Sequence, residues 1–226
     1  AANMAELDYR TGQILDALDE AGVASDTIVV WASDNAAGQL DGQVFGSNGP
    51  WRGMFGGSWE GSMRSPAIIR WPDHIPSSVV TDEIIATYDW FPTLASLTGE
   101  SDRVPSDRPI DGLDMSGFML GENGTAPRDS FVFIGTDGEP WSVKWKTLKV
   151  HFRQAETDSW TSPIVKPQIP AIYDLEADPT ESVNLMESDL TLSWVIKAAM
   201  APLVDLAHSA AEYPHVPTGA AFKGYE

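Results

Sequence analysis

The sequence predicts an α/β domain followed by a smaller α+β unit, and three patterns carry that reading. A helical stretch from Asn3 to Gly22 leads into an all-apolar run, Thr27-Ile28-Val29-Val30-Trp31-Ala32. A second such run, Ala67-Ile68-Ile69-Arg70-Trp71, follows a long glycine-rich connection. From Trp141 onward the texture changes to short alternating segments. A helix feeding a wholly apolar strand belongs to a mostly parallel sheet with helices on its faces, whereas alternation belongs to half-buried antiparallel sheet. The change of texture near residues 135–140 divides the chain into 1–138 and 139–226.

Each element has a local justification. In the first helix Met4, Leu7, Ile14, Leu15 and Leu18 fall at helical spacing, and Gly22 is positioned to end it. The run 27–32 is short and β-branched, which predicts a buried strand, and it stops at Ser33-Asp34-Asn35. Ligands collect at the carboxyl ends of strands in sheets of this kind, so Asp34 and Asn35 are well positioned for chemistry. Residues 36–65 are irregular and rich in glycine, and a loop of that length inside a compact domain is usually functional. Trp51, Phe55 and Trp59 interleave it and need surfaces to pack on. A helical rhythm runs from Glu83 to Leu97, with Pro92 opening its later part and Gly99 ending it. Residues 100–130 are mostly connection, and Phe131-Val132-Phe133-Ile134 is a further strand. Val143 and Trp145, then Leu148, Val150 and Phe152, alternate around a turn at Lys146-Thr147, and a terminal helix is expected from Leu190 to Ala210.

Composition bounds the function. Fourteen Lys and Arg against 33 Asp and Glu leave a formal charge of -19, which excludes a chain whose main task is to grip nucleic acid or an anionic membrane surface. With no cysteine, the chain has no disulfide, no thiolate metal site and no cysteine-derived nucleophile of its own. No run of 18 apolar residues is present, so no membrane span is expected. The first ten residues lack the basic start and apolar stretch of a secretion signal and read like the interior of a protein.

Five segments in order carry a specific resemblance. They are Ser33-Asp34-Asn35 at the end of the first strand, Gly46-Ser47-Asn48-Gly49-Pro50-Trp51-Arg52-Gly53 with Trp59-Glu60-Gly61-Ser62-Met63-Arg64-Ser65-Pro66, Tyr88-Asp89-Trp90-Phe91-Pro92-Thr93, Ile110-Asp111-Gly112-Leu113-Asp114, and Ile172-Tyr173-Asp174-Leu175 through Asp178-Pro179-Thr180-Glu181. Together they resemble the type I sulfatases (arylsulfatases), over about residues 5 to 185 and in the order of that family's carboxyl-terminal half. The resemblance implies an alkaline-phosphatase-like fold and hydrolysis of sulfate esters. It also implies calcium as cofactor, with Asp34 and Asn35 among its ligands. The family's nucleophile is a formylglycine made from cysteine in a Cys-x-Pro-x-Arg segment, which this sequence does not contain. The partners it implies are a sulfate ester and either the missing amino-terminal half or a second copy of the chain. A periplasmic or secreted location rests on the same likeness.

Individual residues carry competing readings. An Asp-Asn pair is most often an Asx turn or helix cap, and only the resemblance turns Asp34 and Asn35 into calcium ligands. Phe55 stands where the family has a lysine, which makes Arg52 the candidate cation for substrate, set against pairing of Arg52 with the chain's own carboxylates. Arg64 is the other nearby cation, with the same alternative. Glu60 reads as structural. His151 is expected to point outward or to cap a sheet edge, and His74, His208 and His215 are scattered without metal-ligand spacing. Ca²⁺ takes six to eight oxygens. Two ligands alone predict weak binding and a loop at 36–58 that is loose or held by a second copy. The competing function is a non-catalytic or degenerate sulfatase-like domain; a zinc phosphatase of the same superfamily would need histidines that this loop lacks.

Overall fold

The computed structural model describes residues 2–40, 43–157, 162–214, 216 and 219–221. Helix α1 (Ala2–Glu20) leads through a 3-10 turn at Ala24–Asp26 into β1 (Val29–Ala32). A hairpin of β2 (Gly38–Leu40) and β3 (Gln43–Phe45) follows, then the glycine-rich segment, then β4 (Ala67–Arg70). After α2 (Trp90–Leu97) and α3 (Ser116–Met119), the chain builds β5 (Ser130–Ile134), β6 (Pro140–Trp145), β7 (Leu148–His151), β8 (Gln154–Ala155), β9 (Ile164–Val165) and β10 (Ala171–Asp174). Helices α4 (Leu185–Ser188) and α5 (Trp194–Glu212) complete it.

The two apolar runs pair with each other, as the α/β reading requires, but antiparallel rather than parallel, with Val30 opposite Ile69 and Trp31 opposite Ile68. They make a two-stranded sheet, and neither strand is fully buried. Val30 and Ile68 are exposed, and no residue of α1 is buried. Met4, Leu7 and Leu15 of α1 instead face Val29, Trp31 and Ile68 across an apolar cleft of about 310 Å³. An all-apolar strand buries both faces only when further strands and helices cover it, and here a single partner strand does so.

The main core lies in the second sheet, whose strand order is β10-β7-β6-β5, every neighbour antiparallel. Val143, Val150 and Ile172 from the sheet pack with Met186 of α4 and Val195 and Ala199 of α5. The division at residue 138 therefore falls inside the β5–β6 hairpin: Phe131 pairs with Lys144 and Val132 with Val143, so the sheet begins at Ser130. The turn at Lys146 is as expected, with Lys146 at φ 56°. Leu190–Glu212 forms a 3-10 turn and α5, and by length and composition it is apolar enough to cross a membrane. Its inner side, at Val195 and Ala199, is fully buried in that core, while Trp194, Met200, Val204 and Leu206 are exposed.

The helical rhythm from Glu83 starts too early. Residues 83–86 are irregular and a 3-10 turn occupies Thr87–Asp89 before α2 begins at Trp90. The cause is Asp89, a fully buried carboxylate that accepts hydrogen bonds from the N–H of Ala86 at 2.7 Å and of Leu113 at 2.8 Å. Arg128 closes on it with two further bonds of 2.8 and 2.6 Å. The side chain thus fixes where the backbone may turn into a helix. Gly112 lies beside it, where a Cβ would stand 2.3 Å from the carbonyl oxygen of Tyr88, so the Asp-Gly-Leu-Asp turn admits only glycine there.

Candidate functional site

An open cleft of about 760 Å³ lies at the carboxyl end of β1. Asp34 and Asn35 line it, together with Asn48, Trp51 and Arg64. Its floor is made rigid by backbone. Ser33 N–H donates to the carbonyl of Pro66 at 3.1 Å, tying the end of β1 to the start of β4. Asn48 brackets the peptide of Ala37: its Oδ1 accepts from Ala37 N–H at 2.7 Å, and its Nδ2 donates to the carbonyl of Gly53 at 2.7 Å. One amide side chain thus fastens the segment after Asp34-Asn35 to the glycine-rich loop. Asn48 belongs to the Gly-Ser-Asn-Gly-Pro segment, but its spacing alone gave no hint of this clamp.

The two acidic-end residues offer one carboxylate and one amide oxygen, both exposed. Among the described residues no group of three or more His, Cys, Asp or Glu could hold a metal ion. Arg52 does not line the cleft. Its guanidinium lies over the Trp59 ring, 3.6 Å from the centroid, and reaches the carbonyl of Glu181 at 3.5 Å. Arg64 is the cation that does line it. Phe55 is exposed, and its N–H donates to the carbonyl of Ala37 at 3.0 Å.

Contacts within the chain hold the loop. Trp59, Glu60, Gly61 and Ser62 are buried against the second sheet. Gly61 permits this approach: its N–H donates to the carbonyl of Arg52 at 2.7 Å, and a Cβ there would stand 2.6 Å from the carbonyl oxygens of both Trp51 and Arg52. Glu60 sits over two lysines, Lys144 at 2.9 Å and Lys149 at 3.5 Å. Its N–H donates to the Glu181 carboxylate at 2.5 Å. Glu181, at φ 48°, also accepts from His151 Nε2 at 2.6 Å.

His151 is therefore fully buried, contrary to the outward orientation expected of it, because both faces of β7 are covered. One face carries Val150 into the main core, and the other carries Lys149 and His151 under the loop, where Trp59 lies 5.0 Å from the His151 ring. Burial would raise the Glu60 carboxyl, but Lys149 and Lys144 outweigh it and hold Glu60 below the ordinary carboxylate value. The same opposition, with Lys149 and His151 prevailing over burial, holds Glu181 low. Burial depresses His151 despite Glu181 beside it, so the neutral imidazole is favoured, with Nε2–H donating to the Glu181 carboxylate. The backbone of Arg153 pulls in the same direction as Glu181, and burial prevails over both. Burial likewise depresses Lys149, against the pull of Glu181 and Glu60. The structural role read for Glu60 is consistent with this arrangement, in which its carboxylate meets Lys144, Lys149 and Arg64.

The Sulfatase family model matches residues 1–100. Steryl-sulfatase of Mus musculus is 36% identical over 145 residues, covering 62% of this chain and 23% of that protein. Arylsulfatase A of Homo sapiens is 31% identical over 198 residues, covering 81% of this chain and 38% of that protein. Among solved structures, the PsFucS1 sulfatase from Pseudoalteromonas sp. superposes with a TM-score of 0.83 at 25% identity, covering 95% of this chain and 43% of that one. The chain spans less than half the length of these relatives. With a family match over the first hundred residues and a sulfatase fold along nearly its whole length, the chain belongs to the sulfatase family and has the alkaline-phosphatase-like fold of its members.

Proposed function

We propose that the chain is the part of a sulfuric ester hydrolase that supplies calcium ligands and one wall of the substrate cleft, with the nucleophile coming from a segment outside these 226 residues. The observation that carries this is the position of Asp34 and Asn35, whose side chains open onto the same cleft as the clamped glycine-rich loop. A carboxylate and a neutral amide oxygen are the donor types calcium prefers, and the pair fits as two members of a shell of six to eight. Calcium bound there would withdraw charge from sulfate oxygens. The chain's own contribution is geometric: Asn48 fixes the backbone after the ligand pair, and the buried Glu60 network fixes the loop. A periplasmic or secreted location goes with this reading. Phe55 in place of the family's lysine favours a second reading, a non-catalytic domain that keeps the fold.

Turnover of 4-nitrocatechol sulfate by the gene product in which these residues occur, with and without a calcium chelator, is the test. Chelator-sensitive release of 4-nitrocatechol that is lost in Asp34→Ala is expected. Turnover indifferent to both the chelator and the substitution overturns the proposal, and a complete lack of turnover with formylglycine present supports the non-catalytic reading.

A further inference from the structure

We infer that Arg64 is the anion-gripping residue of the cleft and that Asp82, paired with it, is an internal stand-in, which a sulfate group displaces on binding. That the displacing anion is a sulfate ester rests on the function proposed above. Three neighbours orient the Arg64 guanidinium. Its Nη1 lies 3.7 Å from Glu60, whose side chain is 3% exposed, and its plane sits over the Trp51 ring at 3.9 Å from the centroid. Its Nη2 donates to Asp82.

These neighbours are not equivalent. Glu60 is locked by two lysines and Trp51 is part of the cleft wall, so neither can leave. The Asp82 side chain is 81% exposed and belongs to an irregular segment. An ion pair with so exposed a partner is weak and screened by solvent, so an incoming anion competes with it readily. What remains when Asp82 leaves is a preoriented planar fork facing the cleft, the donor geometry that suits a tetrahedral oxyanion. Among the described residues that line the cleft, Arg64 is the one basic residue and Asp34 the one acidic residue. The cleft thus carries its carboxylate at the end of β1 and its cation just before β4. Arg52, stacked on Trp59, is committed to holding the loop.

Titration of the 226-residue chain with inorganic sulfate at constant ionic strength, followed by NMR shifts, tests the inference. The chain should bind sulfate weakly and Asp82→Asn at least fivefold more tightly. Arg64→Gln should bind none, and the double variant should show no gain over Arg64→Gln. Equal affinity in the chain and in Asp82→Asn, no binding by either, or binding retained in Arg64→Gln each overturns it. If Arg64→Gln does not fold, the comparison of Asp82→Asn with the parent still decides. The readout needs neither calcium nor a nucleophile, so it can fail while chelator-sensitive turnover succeeds, and the reverse.

Discussion

Lys144 and Lys149 face each other directly across β6 and β7, and the carboxylate of Glu60 bridges them from a loop 84 residues earlier in the chain. Like charges opposed on adjacent strands repel, so the sheet depends on the loop as much as the loop depends on the sheet.

Glu60→Gln should therefore destabilise the chain strongly. Removing one partner of a buried ion pair costs about 3–5 kcal/mol, because the other charge is left uncompensated. A lower urea midpoint is expected. Adding Lys149→Met, which removes the stranded charge, should recover a large part of the loss; a double variant no more stable than the single one would show that the lysine is not what Glu60 offsets.

Stability should fall with acid in two stages. The native His151 binds its proton less readily than the ordinary histidine of value 6.5, so the unfolded chain takes up the extra proton first and stability declines as pH falls below about 6.5. Glu60 and Glu181 are held below their ordinary value of 4.5, so their contribution is full above that value and is lost as pH falls through the lower native one. Urea unfolding from pH 8 to 3 should show both. His151→Gln should abolish the first stage and keep the second.

Asn48→Ala should loosen the cleft floor and leave the second sheet intact. It removes the acceptor of Ala37 N–H, and an unsatisfied buried or half-buried amide costs about 1–3 kcal/mol. Hydrogen exchange is the direct measurement: Ala37 should lose protection while Val143 and Val150 keep theirs.

Gly61→Ala should destabilise by about 1–3 kcal/mol, as overpacking does, since the added methyl meets two carbonyl oxygens of backbone. Gly12→Ala is the control, because nothing lies within 4 Å of a Cβ there and alanine suits a helix interior. Thermal midpoints of the two variants should move in opposite directions.

Calcium affinity of the 226-residue chain should be millimolar at best. Two oxygens from Asp34 and Asn35 leave most of a shell of six to eight to water. Isothermal titration checks this: submicromolar binding abolished by Asp34→Ala would mean that the chain assembles a complete site unaided.

Much of the fold could be read from residue order. The apolar runs at 27–32 and 67–71 do pair, the alternation around Lys146 is a hairpin, and the terminal helix is present. What escaped were long-range effects. Whether the β1–β4 pair runs parallel or antiparallel is set by the path between the strands, and apolarity does not encode it. The helix start at Trp90 depends on Asp89 meeting Arg128, 39 positions away. The opposed lysines fall at the polar positions of the alternation, where a solvent face is the ordinary reading, so their burial under Glu60 could not be read from the pattern. For the cleft, Asp34, Asn35 and the glycine-rich loop were found by their place after a strand. Which of Arg52 and Arg64 lines the cleft needed the geometry, because Trp59 captures the first and the second lies over Trp51.

The bond from Glu60 N–H to Glu181 joins residues 121 positions apart, and this sets an order of events during synthesis. A ribosome adds about 5–20 residues per second, so roughly 6–24 s separate the appearance of the two partners. Until β6 and β7 have emerged, Trp59 and its neighbours have no sheet to settle on, and even then the Glu181 bond is still to come. The cleft wall is thus among the last features of the nascent chain to mature, and slower translation between these positions would prolong its exposure to chaperones and proteases.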